Sequence, residues 1–75
     1  MPALYPDPAK LLAERLRNGF TREEVAVAIG AAFGSIAAYE SGKVVPHSPK
    51  LLALAGLYGV PVEELCSVRP APVAS

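Results

Sequence analysis

Glycines at positions 19, 30, 42 and 59 each close an apolar segment, and this punctuation most narrows the folds open to the chain. Glycine tolerates the left-handed conformation that ends helices, so the spacing predicts a series of short helical pieces. Asp7-Pro8 opens the first as N-cap and first helical residue, where proline's missing N–H costs nothing. Ala9, Leu12, Ala13 and Leu16 recur at i, i+3, i+4, i+7 as one apolar stripe, which Asn18-Gly19 ends. Thr21-Arg22-Glu23-Glu24 is a capping box with Phe20 as its hydrophobic neighbour. Val25, Ala26 and Ile29 supply the inward face of this second helix, up to Gly30. A third helix is expected from about Ala32 to Ser41, on the spacing of Phe33, Ile36 and Tyr39, although Ala32 is a poor cap. Ser48-Pro49 opens a fourth, built on Leu51, Leu52, Leu54, Ala55 and Tyr58. Val60 to Leu65 reads as a short fifth helix with acids in its first turn. No alternating strand of useful length is present. The expected fold is therefore all-α, a bundle of five short helices spanning residues 8–67. Residues 1–7 form an N-terminal extension, and the aperiodic residues 68–75 read as a disordered tail.

With 75 residues the chain has one small core and room for one site. A hydrophobic fraction of 52% excludes a chain disordered throughout. Val25 to Tyr39 carries no charge, yet its 15 residues fall short of the ~20 that span a bilayer, and Gly30 and Gly34 interrupt it. The N-terminus lacks the basic region and apolar core of a signal peptide, so a cytoplasmic protein with no membrane association is expected.

Catalytic readings find little support. His47 lies in a loop among prolines. The Glu23-Glu24 and Glu63-Glu64 pairs open helices, where acids favour the helix dipole, and adjacent helical positions do not face one another. Gly42-Lys43 lacks the upstream glycine and following hydroxyl residue of a phosphate loop. Cys66, the only cysteine, has no plausible base nearby and no cysteine to pair with. No enzyme activity, metal or cofactor is expected.

The short Gly30-Ala31 connection between helices two and three makes a helix-turn-helix. Around it, Leu16-Arg17, Phe20 to Ala26, Ile29-Gly30, Ile36, Tyr39 to Lys43, Pro46, Leu51-Leu52, Leu54-Ala55, Leu57 and Gly59 to Leu65 follow a specific combination. Residues 16–65 thereby resemble the Cro/CI-type helix-turn-helix domain of phage repressors and small bacterial regulators. The resemblance implies a transcriptional regulator binding double-stranded DNA, with helix three in the major groove and helix two across the backbone. It places Arg22 where the family usually bonds a phosphate through glutamine, and Lys43 at a second backbone contact. Ala32, Phe33, Gly34, Ser35 and Ala38 take the base-facing positions. Those positions usually carry polar or basic residues, whereas here only Ser35 can hydrogen-bond a base edge. Phe33 suits either the core or an exposed probe, and helix three either reads DNA or contacts a protein.

Seven Lys and Arg balance seven Asp and Glu, and a net charge of zero argues for limited non-specific affinity. A homodimer is therefore expected, and the resemblance implies pairing through Val60, Val62, Leu65 and Val68, an apolar edge that would otherwise be exposed. The alternative is a protein-interaction module, antirepressor or antitoxin-like, that engages a protein partner through Ala31, Ala32, Phe33 and Ala37.

Overall fold

A computed structural model describes residues 2–70. In chain order these form β1 (Pro2–Pro6), α1 (Pro8–Arg17), α2 (Arg22–Ile29), α3 (Ser35–Ser41) and α4 (Ser48–Tyr58). A 3-10 turn (Val62–Leu65) and β2 (Cys66–Pro70) follow. The fold is mostly helical, with four α-helices rather than five and a short pair of strands.

The cap signals act as their chemistry requires. Asp7 accepts from the Ala9 N–H at 2.9 Å, while Thr21 and Glu24 satisfy each other's backbone N–H groups at 3.1 and 2.8 Å. Gly30 and Gly59 close α2 and α4 with φ of 67° and 70°, where a side chain would be strained.

The core comprises Leu11, Val25, Ala26, Ile36, Tyr39, Leu54, Ala55, Tyr58 and Leu65, with Phe20, Ile29 and Leu51 packed against it. In α1 the inward face differs from the expected stripe. Leu11 and Arg15 are buried, whereas Ala9 and Ala13 are exposed and Leu16 is 60% exposed. A charged residue takes the core position because a partner awaits it there, which hydrophobic periodicity does not register.

The fifth helix is reduced to one 3-10 turn. Pro61 has no N–H to donate and disfavours the helical region at Val60, so winding starts only at Val62. Beyond it, residues 68–70 do not follow the expected frayed tail. They belong to β2, which pairs antiparallel with β1 in the register Leu4↔Val68 and Pro6↔Cys66. The N-terminal extension is thus structured across residues 2–6. Prolines fit here because each strand of a two-stranded sheet is an edge strand. Asp7 N–H donates to the Leu65 carbonyl at 2.8 Å, Lys10 Nζ to the Cys66 carbonyl at 2.8 Å, and Ser67 Oγ to the Asp7 carboxylate. The remaining expected tail, residues 71–75, lies outside the described residues.

Candidate nucleic-acid interface

Helix α2, the turn at residues 30–34 and helix α3 form one continuous surface. The turn is longer than expected, because α3 starts at Ser35 rather than Ala32. Gly34 stands at its N-cap with φ 93° and ψ −15°, a left-handed conformation that cannot continue a right-handed helix backwards. The Ser35 N–H donates to the Ala32 carbonyl at 3.1 Å, which closes the turn. Ile36 and Tyr39 then face the core, so α3 is fixed about its axis by two buried side chains.

A buried ion pair fixes α3 against α1. Arg15 Nε and Nη2 donate to Glu40 at 2.6 and 3.1 Å, and Arg15 Nη1 donates to the Phe20 carbonyl at 2.9 Å. Both side chains are largely shielded, 9% and 5% exposed. The hydrogen bonds it donates to Glu40 raise the Arg15 pKa further, so this arginine is permanently charged. Burial, reinforced by the Glu40 charge, pushes the neighbouring Tyr58 hydroxyl up to about 12. Its ring stacks on Phe20 with centroids 6.4 Å apart.

Glu40 also receives Arg22 Nε at 3.4 Å, from the first residue of α2. Arg15 already neutralises Glu40, so Arg22 is steadied without losing its charge. Its side chain remains 56% exposed, and its Nη groups donate to no other group among the described residues. Lys43, just beyond α3, is also exposed. The other described basic side chains are engaged within the fold. Arg17 bonds Glu14 and the Tyr58 carbonyl, and Lys10 the Cys66 carbonyl. Lys50 Nζ donates to the Ile29 and Gly30 carbonyls at 3.1 and 2.9 Å, capping the C-terminus of α2. Glu14 and Arg17 form a surface ion pair on α1 at 2.7 Å.

The turn and the exposed face of α3 are largely apolar. Phe33 is 85% exposed at the turn and so is not a core residue, and Ala32 and Gly34 beside it are exposed. Ser35 and Ala38 are half-buried, while Ala37 is exposed. Arg22, Glu23, Ala26, Phe33, Ile36 and Ala37 line a shallow depression of about 180 Å³ between α2 and α3. Ala37 was not among the expected base-facing positions. It is exposed and lines the depression beside Ile36, on the apolar face named for the protein-interaction alternative.

The expected dimer surface is not one patch. Leu65 is fully buried, and Val60 and Val62 are packed against the core; only Val68 is freely exposed, opposite the exposed Leu4. Leu65 is excluded as a contact residue because the single small core needs it.

Residues 9–66 match the family model of a helix-turn-helix domain. The match covers well over half of the 75 residues, and the chain belongs to that family of DNA-binding domains. No curated protein and no solved structure matched it in the parallel comparisons. Among the described residues, no helix is long and apolar enough to cross a membrane.

Proposed function

We propose that the chain is a sequence-specific transcriptional regulator of the Cro/CI type, phage repressor or Cro-like, that binds double-stranded DNA as a homodimer. The observation that carries this is the exposure of Arg22, at the start of α2, and of Lys43, just past α3, on the two elements that border the largely apolar turn and face of α3. In this mode α3 enters the major groove with its N-terminal residues toward base edges, and α2 crosses the backbone. Arg22 offers its Nη donors to a phosphate as charge-assisted hydrogen bonds, with Glu40 holding Nε from behind. Lys43 neutralises a second phosphate past the far end of α3. Two such contacts give one protomer little affinity, which is the reason to expect two protomers on a two-fold site.

Selection from a pool of random 20-base-pair duplexes at low salt tests this proposal. Enrichment of a two-fold symmetric sequence is expected. A pool that stays unretained at low salt would contradict DNA binding. The alternative, a protein-interaction module, draws on the exposure of Phe33, a large apolar side chain with no cover. A partner held equally well at low and high salt, together with no DNA retention, would favour that alternative.

A further inference from the structure

We infer that this surface recognises DNA through the C5-methyl groups of thymine, with Phe33 as the specificity-determining residue. The inference rests on the proposed DNA-binding mode and adds what that mode reads. Each base edge in the major groove requires a particular chemistry. Guanine calls for arginine or lysine, adenine for asparagine or glutamine, and cytosine for a carboxylate, while thymine presents a methyl group to apolar atoms. From Val25 to Tyr39 the chain has no Arg, Lys, Asn, Gln, Asp or Glu. Tyr39 in that run is buried, Ser35 is half-buried, and the Glu40 carboxylate is committed to Arg15 and Arg22. The one nearby free acid, Glu23, belongs to α2, the helix that lies over the backbone.

The exposed surface is accordingly a phenyl ring with alanine methyls around it, Ala32 and Ala37. Gly34, in its left-handed conformation, ends the turn just after Phe33 and leaves the ring 85% exposed rather than folded onto Ile36. A side chain of this size left in water has affinity for an apolar counterpart, and the thymine methyl is the one apolar group the major groove displays.

The test uses the full 75-residue chain and the duplex enriched by random selection. Each thymine of that duplex is replaced in turn by deoxyuridine, which lacks only the methyl. One or two replacements per half-site should each weaken binding about fourfold, the equivalent of one buried methyl group. Phe33→Ala should bind the thymine duplex more weakly and no longer distinguish it from the uracil duplex. Because Phe33 is exposed, this variant should show an unchanged melting temperature. Two results would overturn the inference while leaving DNA binding intact: uracil duplexes bound as well as thymine duplexes, or an unchanged methyl preference in Phe33→Ala. If no duplex is retained even at low salt, the DNA-binding mode fails and the inference fails with it.

Discussion

At the scale of single residues, the chain separates charges that hold the fold from charges left for a ligand. Arg15 and Glu40 are shielded and bonded to each other, so removing either strands a buried charge. Such a loss costs about 3–5 kcal/mol, against a total stability of roughly 4–11 kcal/mol for a domain of this length. Glu40→Ala should therefore be largely unfolded or melt far below the parent, as read by circular dichroism. Arg22 bonds the same carboxylate but at 3.4 Å and from a half-exposed position. Arg22→Ala should shift stability by no more than about 0.5 kcal/mol while weakening binding to every DNA sequence alike. Equal loss of stability in the two variants would mean that Arg22 belongs to the fold and not to the interface.

Asp7 gives a prediction with a definite sign. The Ser67 hydroxyl, then the backbone N–H of Ala9, hold its carboxyl below its usual value of 3.8. A lowered value means that its contribution is complete above the unfolded-state pKa and fades as pH falls through the folded-state one. The urea midpoint of the parent should drop below about pH 3.8, and Asp7→Asn should lose part of that drop. At neutral pH the variant should keep most of its stability, because asparagine caps a helix about as well as aspartate. An identical acid profile in both proteins would remove Asp7 as a contributor.

Among the elements, the helices that carry their own punctuation were legible in the sequence. Thr21 to Glu24 caps α2 as its residue types require, and Gly30, Gly42 and Gly59 stand just past the helices they end. Two features were not legible, each for a physical reason. The register of α1 is set by the Arg15–Glu40 pair, whose partners lie 25 residues apart, while of the expected stripe Ala9, Ala13 and Leu16 are exposed and Leu12 is half-buried. The start of α3 is set by the positive φ of Gly34, which the strong helix propensity of the alanines around it conceals. At Gly34 an added Cβ would meet nothing within 4 Å, so space is not the constraint. Gly34→Ala should still cost about 1–2 kcal/mol, through the left-handed backbone alone. Chemical denaturation measures this directly, and an unchanged midpoint would mean that the turn relaxes to another conformation.

Across the whole molecule, the strand pair was the least legible part of the fold. Pro2, Pro6 and Pro70 break any alternating pattern, and the paired segments come from opposite ends of the described chain. Local signals cannot report such a contact. Of the residues that the resemblance implies for the proposed site, Arg22, Ala32, Phe33, Gly34 and Lys43 are exposed, Ser35 and Ala38 are half-buried, and Leu65 of the expected dimer surface is core. The zero net charge is likewise clearer in three dimensions. Glu40 is internal, Asp7 and Glu24 cap helices, and Glu63 opens the 3-10 turn, so the acids are largely occupied by the fold itself. Most of the described basic side chains are occupied too, and among them Arg22 and Lys43 are the ones proposed to meet phosphates.

That pairing makes the salt dependence of DNA binding the most direct measurement of the account. Fluorescence anisotropy of the selected duplex between 50 and 200 mM salt gives the slope of log K against log salt, with roughly 0.9 per phosphate contact. Two contacts from each protomer of a dimer predict a slope of about −3.6, and Lys43→Ala should reduce it to about −1.8. A slope near zero, or one that Lys43→Ala leaves unchanged, would contradict the assignment of this surface to DNA.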